Sequence, residues 1–219
     1  MPQTPHGPLR SFGRIKSRPI KPRQARLMDE LLPKLAVPAG PVTVVGETWL
    51  EIGFGGGEHM VAQAGRSPQV TIIGAEPFLN GVASAVRHVD EAGVANVRIH
   101  HGDARELIEN LADGSISRVF ILFPDPWPKT RHHKRRLIQA ATIAELARVM
   151  RPRARVRFAS DWADYIDWTL ERFVAAQDFR WLAERADDWR IPPADHVTTR
   201  YEEKKLGDCA PVFLEFERV

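Results

Sequence analysis

A single cysteine, Cys209, stands in 219 residues. No internal disulfide is available, so a reducing compartment fits and Cys209 reads as a structural thiol. No apolar run reaches the roughly 18 residues of a membrane span. The Pro-rich, basic N-terminus lacks the apolar stretch of a secretory signal. These absences point to a cytoplasmic chain with no membrane partner. Acidic residues are missing from two places. Between Met1 and Leu27 there is no Asp or Glu, while Arg10, Arg14, Lys16, Arg18, Lys21, Arg23 and Arg26 all fall there. After Asp125 the chain runs to Glu145 without another acid, passing Lys129, Arg131, His132, His133, Lys134, Arg135 and Arg136. On a chain whose formal charge is only +3, two such blocks favour a polyanionic partner, most simply nucleic acid, over solvated tails. Metal ligation is not expected, because no further His or Cys lies at ligand spacing from His132 and His133.

What is present is an alternation. Residues 1–23 hold Pro2, Pro5, Pro8, Pro19 and Pro22 among basic residues and read as a mobile arm, too poor in apolar area to offset its ordering entropy. Residues 24–219 read as one domain. A short helix is expected over "PRQARLMDELLPKL" (22–35), ending near Pro33. Strand patterns at 48–54, 70–76, 97–103, 118–124 and 155–161 are each followed by a helical pattern, the fourth helix spanning 135–150. Such strands, rich in Val, Ile and Phe, pair in parallel with both faces covered. "FRWLAE" and "PVFLEFERV" then read as an antiparallel pair joined by a polar loop without helix. The fold expected is α/β, a doubly wound Rossmann-like sheet, mostly parallel with an antiparallel last strand.

"LEIGFGGGEH" marks the first strand-to-helix turn. Gly53, Gly55 and Gly57 allow a tight bend and close approach of a ligand. Glu51 precedes them, and Glu76 ends the second strand, where a carboxylate can accept from both ribose hydroxyls of an adenosine. A pyrophosphate cofactor such as NAD would meet Glu58 at the helix N-terminus. S-adenosyl-L-methionine carries a cationic sulfonium and no phosphate, and suits these acids better. Asp103 is placed to reach the adenine amino group, to cap the helix that follows it, or to do both.

Asp125 closes the fourth strand in "DPWP", with Pro126 and Pro128 stiffening the loop. Trp127 packs that loop or stacks on a base. "FPDPWPKTRHHKRRLIQ" closely resembles the signature of the tRNA (guanine-N7)-methyltransferases. "RSFGRIKSRPIKPRQARLMDELLP" and "TTRYEEKKLGDCAPVFLEF" resemble that family's terminal segments. The resemblance implies a class I S-adenosylmethionine-dependent methyltransferase acting on a guanine in the variable loop of tRNA. It implies that Glu51, Glu76, Asp103 and Asp125 line the cofactor site. Lys129, Asp161, Thr199, Arg200, Tyr201 and Glu202 would contact the tRNA substrate, and Arg131, Lys134, Arg135 and Arg136 its phosphates. Pro77 after Glu76 and Trp162 after Asp161 depart from the family pattern without removing a site residue.

Guanine N7 carries an in-plane lone pair and no hydrogen, so it needs no general base. Catalysis is then positioning. Guanine N1–H and N2–H₂ are adjacent donors that match one carboxylate, which also stabilises the more positive methylated ring. That task is expected of Asp125, with Asp161 a second candidate. Two rivals stand beside this reading: a methyltransferase of another nitrogen, and a non-catalytic RNA-binding protein. Monomer and homodimer are both compatible with the sequence.

Overall fold

The computed structural model describes residues 19–219. Most of the basic arm expected over 1–23 lies outside the described residues. Its end is helical: α1 (Pro22–Glu30) has Pro in its first turn, where the missing N–H is no loss. Arg23 lies 3.2 Å from Asp90 and 3.0 Å from Glu91. The helix expected to run on to Pro33 stops at Leu31, and a single turn, α2 (Leu32–Leu35), restarts with Pro33 in its first turn. Inside an unbroken helix Pro33 would clash with a preceding carbonyl.

The alternation follows as expected: β1 (Thr48–Ile52), α3 (Glu58–Arg66), β2 (Thr71–Ala75), α4 (Leu79–Ala92), β3 (Val97–His100), α5 (Ala104–Asn110), β4 (Ile116–Leu122), α6 (Ala140–Val149), β5 (Met150–Ser160) and α7 (Ala163–Ala175). Then come β6 (Phe179–Trp181), α8 (Asp187–Arg190), α9 (Arg200–Glu203) and β7 (Val212–Arg218). The sheet order is β3-β2-β1-β4-β5-β7-β6. β1 pairs in parallel with both β2 and β4, which makes their C-terminal ends the switch point where such sheets hold ligands. β7 runs antiparallel to β5 and β6.

Three boundaries differ from the sequence reading. Residues Thr130–Arg135 form a 3₁₀ turn, and α6 starts only at Ala140, because the Arg136 side chain is drawn inward. β5 begins at Met150, with an irregularity in its pairing to β4. Arg153 there sits at φ +68°. The polar loop before β7 carries α8 and α9, both too short to leave a helical period in sequence.

Apolar side chains fill both faces. Leu50, Ile52 and Ile121 pack with Ile143, Leu146 and Phe173 of α6 and α7. Ile72, Val97 and Ile99 pack with Met60 and Val86 of α3 and α4, and with Leu27 of α1. Each fully buried Leu or Ile contributes about 1.5–3 kcal/mol. That double-sided burial is why the strands lack polar–apolar alternation.

Candidate active site

Five loops meet at the C-terminal edge of the sheet. The first is the glycine turn. Gly53, Gly55 and Gly57 have φ of +73°, +54° and +81°, values that side-chain-bearing residues resist. A Cβ on Gly53 or Gly55 would face open space, whereas one on Gly57 would lie 2.6 Å from Ala85 of α4. Two glycines therefore leave a concavity, and the third lets α4 close in. On α4, Gly81 does the same for the Gly55 carbonyl, 2.4 Å from a Cβ placed there.

Glu76 is held at the floor. Its carboxylate accepts from Gly55 N at 2.8 Å and Phe78 N at 2.9 Å. Burial pushes it above the usual carboxylate range; those two amides pull the other way, and Asp125 and Glu51 add repulsion. Glu51 is buried and lies 2.7 Å from His59 Nδ1 of α3. The concavity is thus acidic, open at two glycines and framed by a helix whose first residue is Glu58. That donor set fits a cationic nucleoside and disfavours a pyrophosphate, which would meet carboxylates at α3. Asp103 caps α5, accepting from Arg105 N at 3.0 Å, and is gripped by the Arg105 guanidinium at 2.6 Å. Burial raises its carboxyl, but Arg105 prevails and holds it below the usual range. The capping alternative is therefore realised.

Asp125 follows β4 in a strained loop. Phe123 and Trp127, neither a glycine, adopt φ of +50° and +46°, at about 1–3 kcal/mol each. Asp125 makes no hydrogen bond or ion pair among the described residues. Its side chain reaches solvent, yet the protein around it excludes enough water that burial pushes its carboxyl up; solvent access limits the rise. With both Asp125 and Glu76 raised, the folded state binds protons more tightly than the unfolded chain. Their contribution to stability falls as pH rises from the unfolded toward the folded pKa. Where the ionised form of Asp125 is the working one, the acid limb of kcat/KM against pH is expected above the ordinary Asp range. A limb at or below that range would exclude Asp125 as its source.

The basic run divides. Lys129, Arg131 and Lys134 are exposed and have no ion-pair partner among the described residues. Arg135 lies over the Trp127 ring at 5.0 Å, and His132 meets the same ring edge-on at 5.9 Å, so Trp127 packs the loop. Desolvation, then the nearby Arg135, Arg131, Lys129 and Lys134 charges, hold His132 below its usual pKa. Arg136 is different. Its side chain is 0% exposed, its Nε donates to the Pro126 carbonyl at 2.9 Å, and Nη2 pairs with Asp164. Its guanidinium carbon lies 4.9 Å from the ring centres of both Tyr165 and Trp168. The expectation that Arg136 contacts phosphate is corrected: the group is enclosed, and its Nε and Nη2 already have partners inside the fold.

The C-terminal segment closes the site. Asp161 is buried; Oδ2 accepts from Gly207 N at 2.9 Å, and Oδ1 has no partner among the described residues. Thr199 caps α9 by accepting from Glu202 N at 3.2 Å, and Glu202 returns the bond to Thr199 N at 3.4 Å. Arg200 lies 3.5 Å from Glu58. Tyr201 faces Phe123, ring centres 6.1 Å apart. Burial raises its hydroxyl, and the nearby Asp161 and Asp125 charges raise it further. Asp125 and Asp161 both lie near enough to Tyr201 to act on its hydroxyl. The sequence reading missed His59, Gln63, Glu58, Asp164 and His196 as partners of these groups. For His59 and Gln63 a signal existed: two polar residues four apart on an otherwise apolar helix face.

Among the described residues, no cluster of three His, Cys, Asp or Glu could hold a metal, and no helix is long and apolar enough to cross a membrane. A doubly wound sheet with a glycine turn, an acid ending its second strand and an antiparallel seventh strand defines a class I methyltransferase. An rRNA methylase from Streptococcus thermophilus shares the fold at TM-score 0.54 and 10% identity, over 93% of this chain and 98% of that one. A Streptococcus mutans protein solved in complex with SAH does so at 0.53 and 11%, over 93% and 99%. The sequence family described as "Putative methyltransferase" matches residues 46–213. The tRNA (guanine-N(7)-)-methyltransferase of Caulobacter vibrioides is 65% identical over 99% of this chain and 98% of its own length. That of Hyphomonas neptunium is 51% identical over 95% and 99%. The chain belongs to the tRNA (guanine-N(7)-)-methyltransferase family.

Proposed function

We propose the following reading: the chain transfers a methyl group from S-adenosyl-L-methionine to N7 of a guanine in tRNA, with the variable-loop guanine as the target and the cytoplasm as the setting. The observation that carries the site assignment is Asp125, a carboxylate at the switch point with no partner among the described residues, followed by the exposed cations Lys129, Arg131 and Lys134. S-adenosyl-L-methionine supplies an electrophilic methyl on a cationic sulfur. Gly53 and Gly55 leave it room, Gly57 lets α4 close against the turn, Glu76 would take the ribose hydroxyls, and Glu51 would add negative potential. Asp103 would reach the adenine amino group with whatever acceptor capacity Arg105 leaves.

Asp125 accepts from guanine N1–H and N2–H₂ and stabilises the positive charge that grows on the purine as N7 is alkylated. No residue need remove a proton before attack. Asp161 Oδ1, buried without a partner among the described residues, is a second acceptor for the base. The Thr199 hydroxyl accepts from Glu202 N and keeps its own hydrogen to donate. Arg200, Tyr201 and Glu202 complete that wall. Lys129, Arg131, Lys134 and Arg135 neutralise phosphate, which sets affinity without reading sequence.

The test is incubation of the protein with methyl-labelled cofactor and unmodified bulk tRNA, followed by aniline cleavage. Label in RNA and cleavage at one variable-loop guanine are expected. Label confined to protein would favour another nitrogen substrate. Tight RNA binding without label would leave only an RNA-binding protein.

A further inference from the structure

Glu51, on the cofactor side, and the segment 195–202, on the substrate side, are joined by one buried line of hydrogen bonds. Glu51 Oε2 lies 2.7 Å from His59 Nδ1. His59 Nε2 lies 3.1 Å from Gln63 Nε2, and that same amide nitrogen donates to the Asp195 carbonyl at 2.7 Å. The next residue, His196, places Nε2 2.8 Å from Glu202 Oε2, the carboxylate that completes the Thr199 cap. Glu51, His59 and Gln63 are 3%, 2% and 2% exposed, so these three groups are shielded from bulk solvent.

The donors and acceptors have only one consistent arrangement. A carbonyl can only accept, so Asp195 fixes the Gln63 amide with its NH₂ inward. His59 Nε2 must then accept from Gln63, and the imidazole hydrogen sits on Nδ1, aimed at Glu51. The ring is further pinned edge-on to Phe120, 4.7 Å away. Asp195 is also clamped from its other side: its carboxylate meets Arg157 at 2.7 Å and Arg118 at 2.9 Å. Arg66 donates to the same Asp195 carbonyl at 2.7 Å, and Glu58 meets Arg200 at 3.5 Å. Helix α3 thus leaves the glycine turn and touches the substrate segment through four side chains, directly or through a neighbour.

We propose that His59 and Gln63 are positioning residues through which α3 couples cofactor binding at the glycine turn to guanine binding at the 195–202 segment. Neither touches substrate. When the base orders Thr199–Glu202, the Asp195 carbonyl is held in place and, through Gln63 and His59, so is the Glu51 carboxylate. By reciprocity, cofactor that orders Glu51 prepares the substrate segment. This inference rests on the methyl-transfer reading above.

The experiment is titration of S-adenosyl-L-homocysteine into the full-length protein, alone and with saturating unmodified tRNA transcript. For the native chain, tRNA is expected to tighten the nucleoside about five- to tenfold. Gln63→Met keeps the shape but removes both donated bonds; there the gain is expected to fall below about twofold. Arg66→Met, at an exposed site that does not endanger folding, is expected to lose part of the gain and decides the matter if Gln63→Met does not fold. A side chain that merely braces the fold weakens both ligands and leaves their ratio intact. An undiminished ratio in a folded variant therefore overturns the proposal, as does a native chain that binds both ligands with no mutual effect. If the native chain binds neither ligand, the methyl-transfer reading itself fails and takes the coupling with it.

Discussion

Asp125→Ala will lower kcat/KM for methyl transfer at least about a hundredfold, the scale of losing one positioned electrostatic group, while tRNA affinity stays within a few-fold. The separation follows from where the charges sit. Asp125 has no partner among the described residues, so removing it breaks no native hydrogen bond and the fold should keep its melting temperature. The cations proposed to meet phosphate lie further along the chain and are untouched. Asp125→Asn sharpens the test. The amide is isosteric but offers one acceptor and one donor, and the donor faces guanine N–H. Its activity is therefore expected near that of Ala, not near the native chain. Rate and filter-binding measurements on the same preparations check both halves. A parallel loss of tRNA binding would mean that Asp125 shapes the RNA surface instead of the reacting base.

Arg136→Ala will reduce both stability and turnover without changing how binding responds to salt. The guanidinium is enclosed, hydrogen-bonded to the Pro126 carbonyl, paired with Asp164 and set between Tyr165 and Trp168. Losing these charge-assisted bonds costs roughly 2–3 kcal/mol, visible as a lower melting temperature. The same loss frees Pro126, the neighbour of Asp125, in a loop already strained at Phe123 and Trp127. Turnover should therefore fall even at temperatures where the variant is folded. Arg136→Lys restores charge but not the planar fork, and should recover only part of either. In contrast, changing Arg131 and Lys134 to Ala should leave melting unchanged. It should flatten the dependence of log affinity on log salt by about one unit for each phosphate no longer neutralised. Should Arg136→Ala flatten that slope too, its guanidinium meets phosphate after all.

Much of the site was legible in the chain because its chemistry is local. A glycine-rich bend after the first strand, a carboxylate ending the second and a Pro-stiffened acid ending the fourth each need only neighbouring residues to be recognised. Asp103 shows the limit of that locality. Its position before a helix admits both a cap and a ligand contact, and only the placement of Arg105 beside it shows the cap made. The basic block shows a second limit. Lys129, Arg131 and Arg136 look alike in sequence, all cations in an acid-free stretch. One of them is turned inward by Asp164 and two aromatic rings carried on α7, nearly thirty residues later.

The sequence by itself determined the alternation of strand and helix, the doubly wound sheet with its antiparallel finish, and the acidic and basic halves of the site. These depend on periodicity, on backbone freedom at glycine and on residue charge, all properties of short segments. Only the tertiary structure decided which charges are available. His59 reaches Glu51, Gln63 reaches Asp195 and Arg136 reaches Asp164 across gaps in the chain that no local pattern spans. Burial then strengthens those pairings, because a polar group shut away from water costs free energy unless it finds a partner inside the fold.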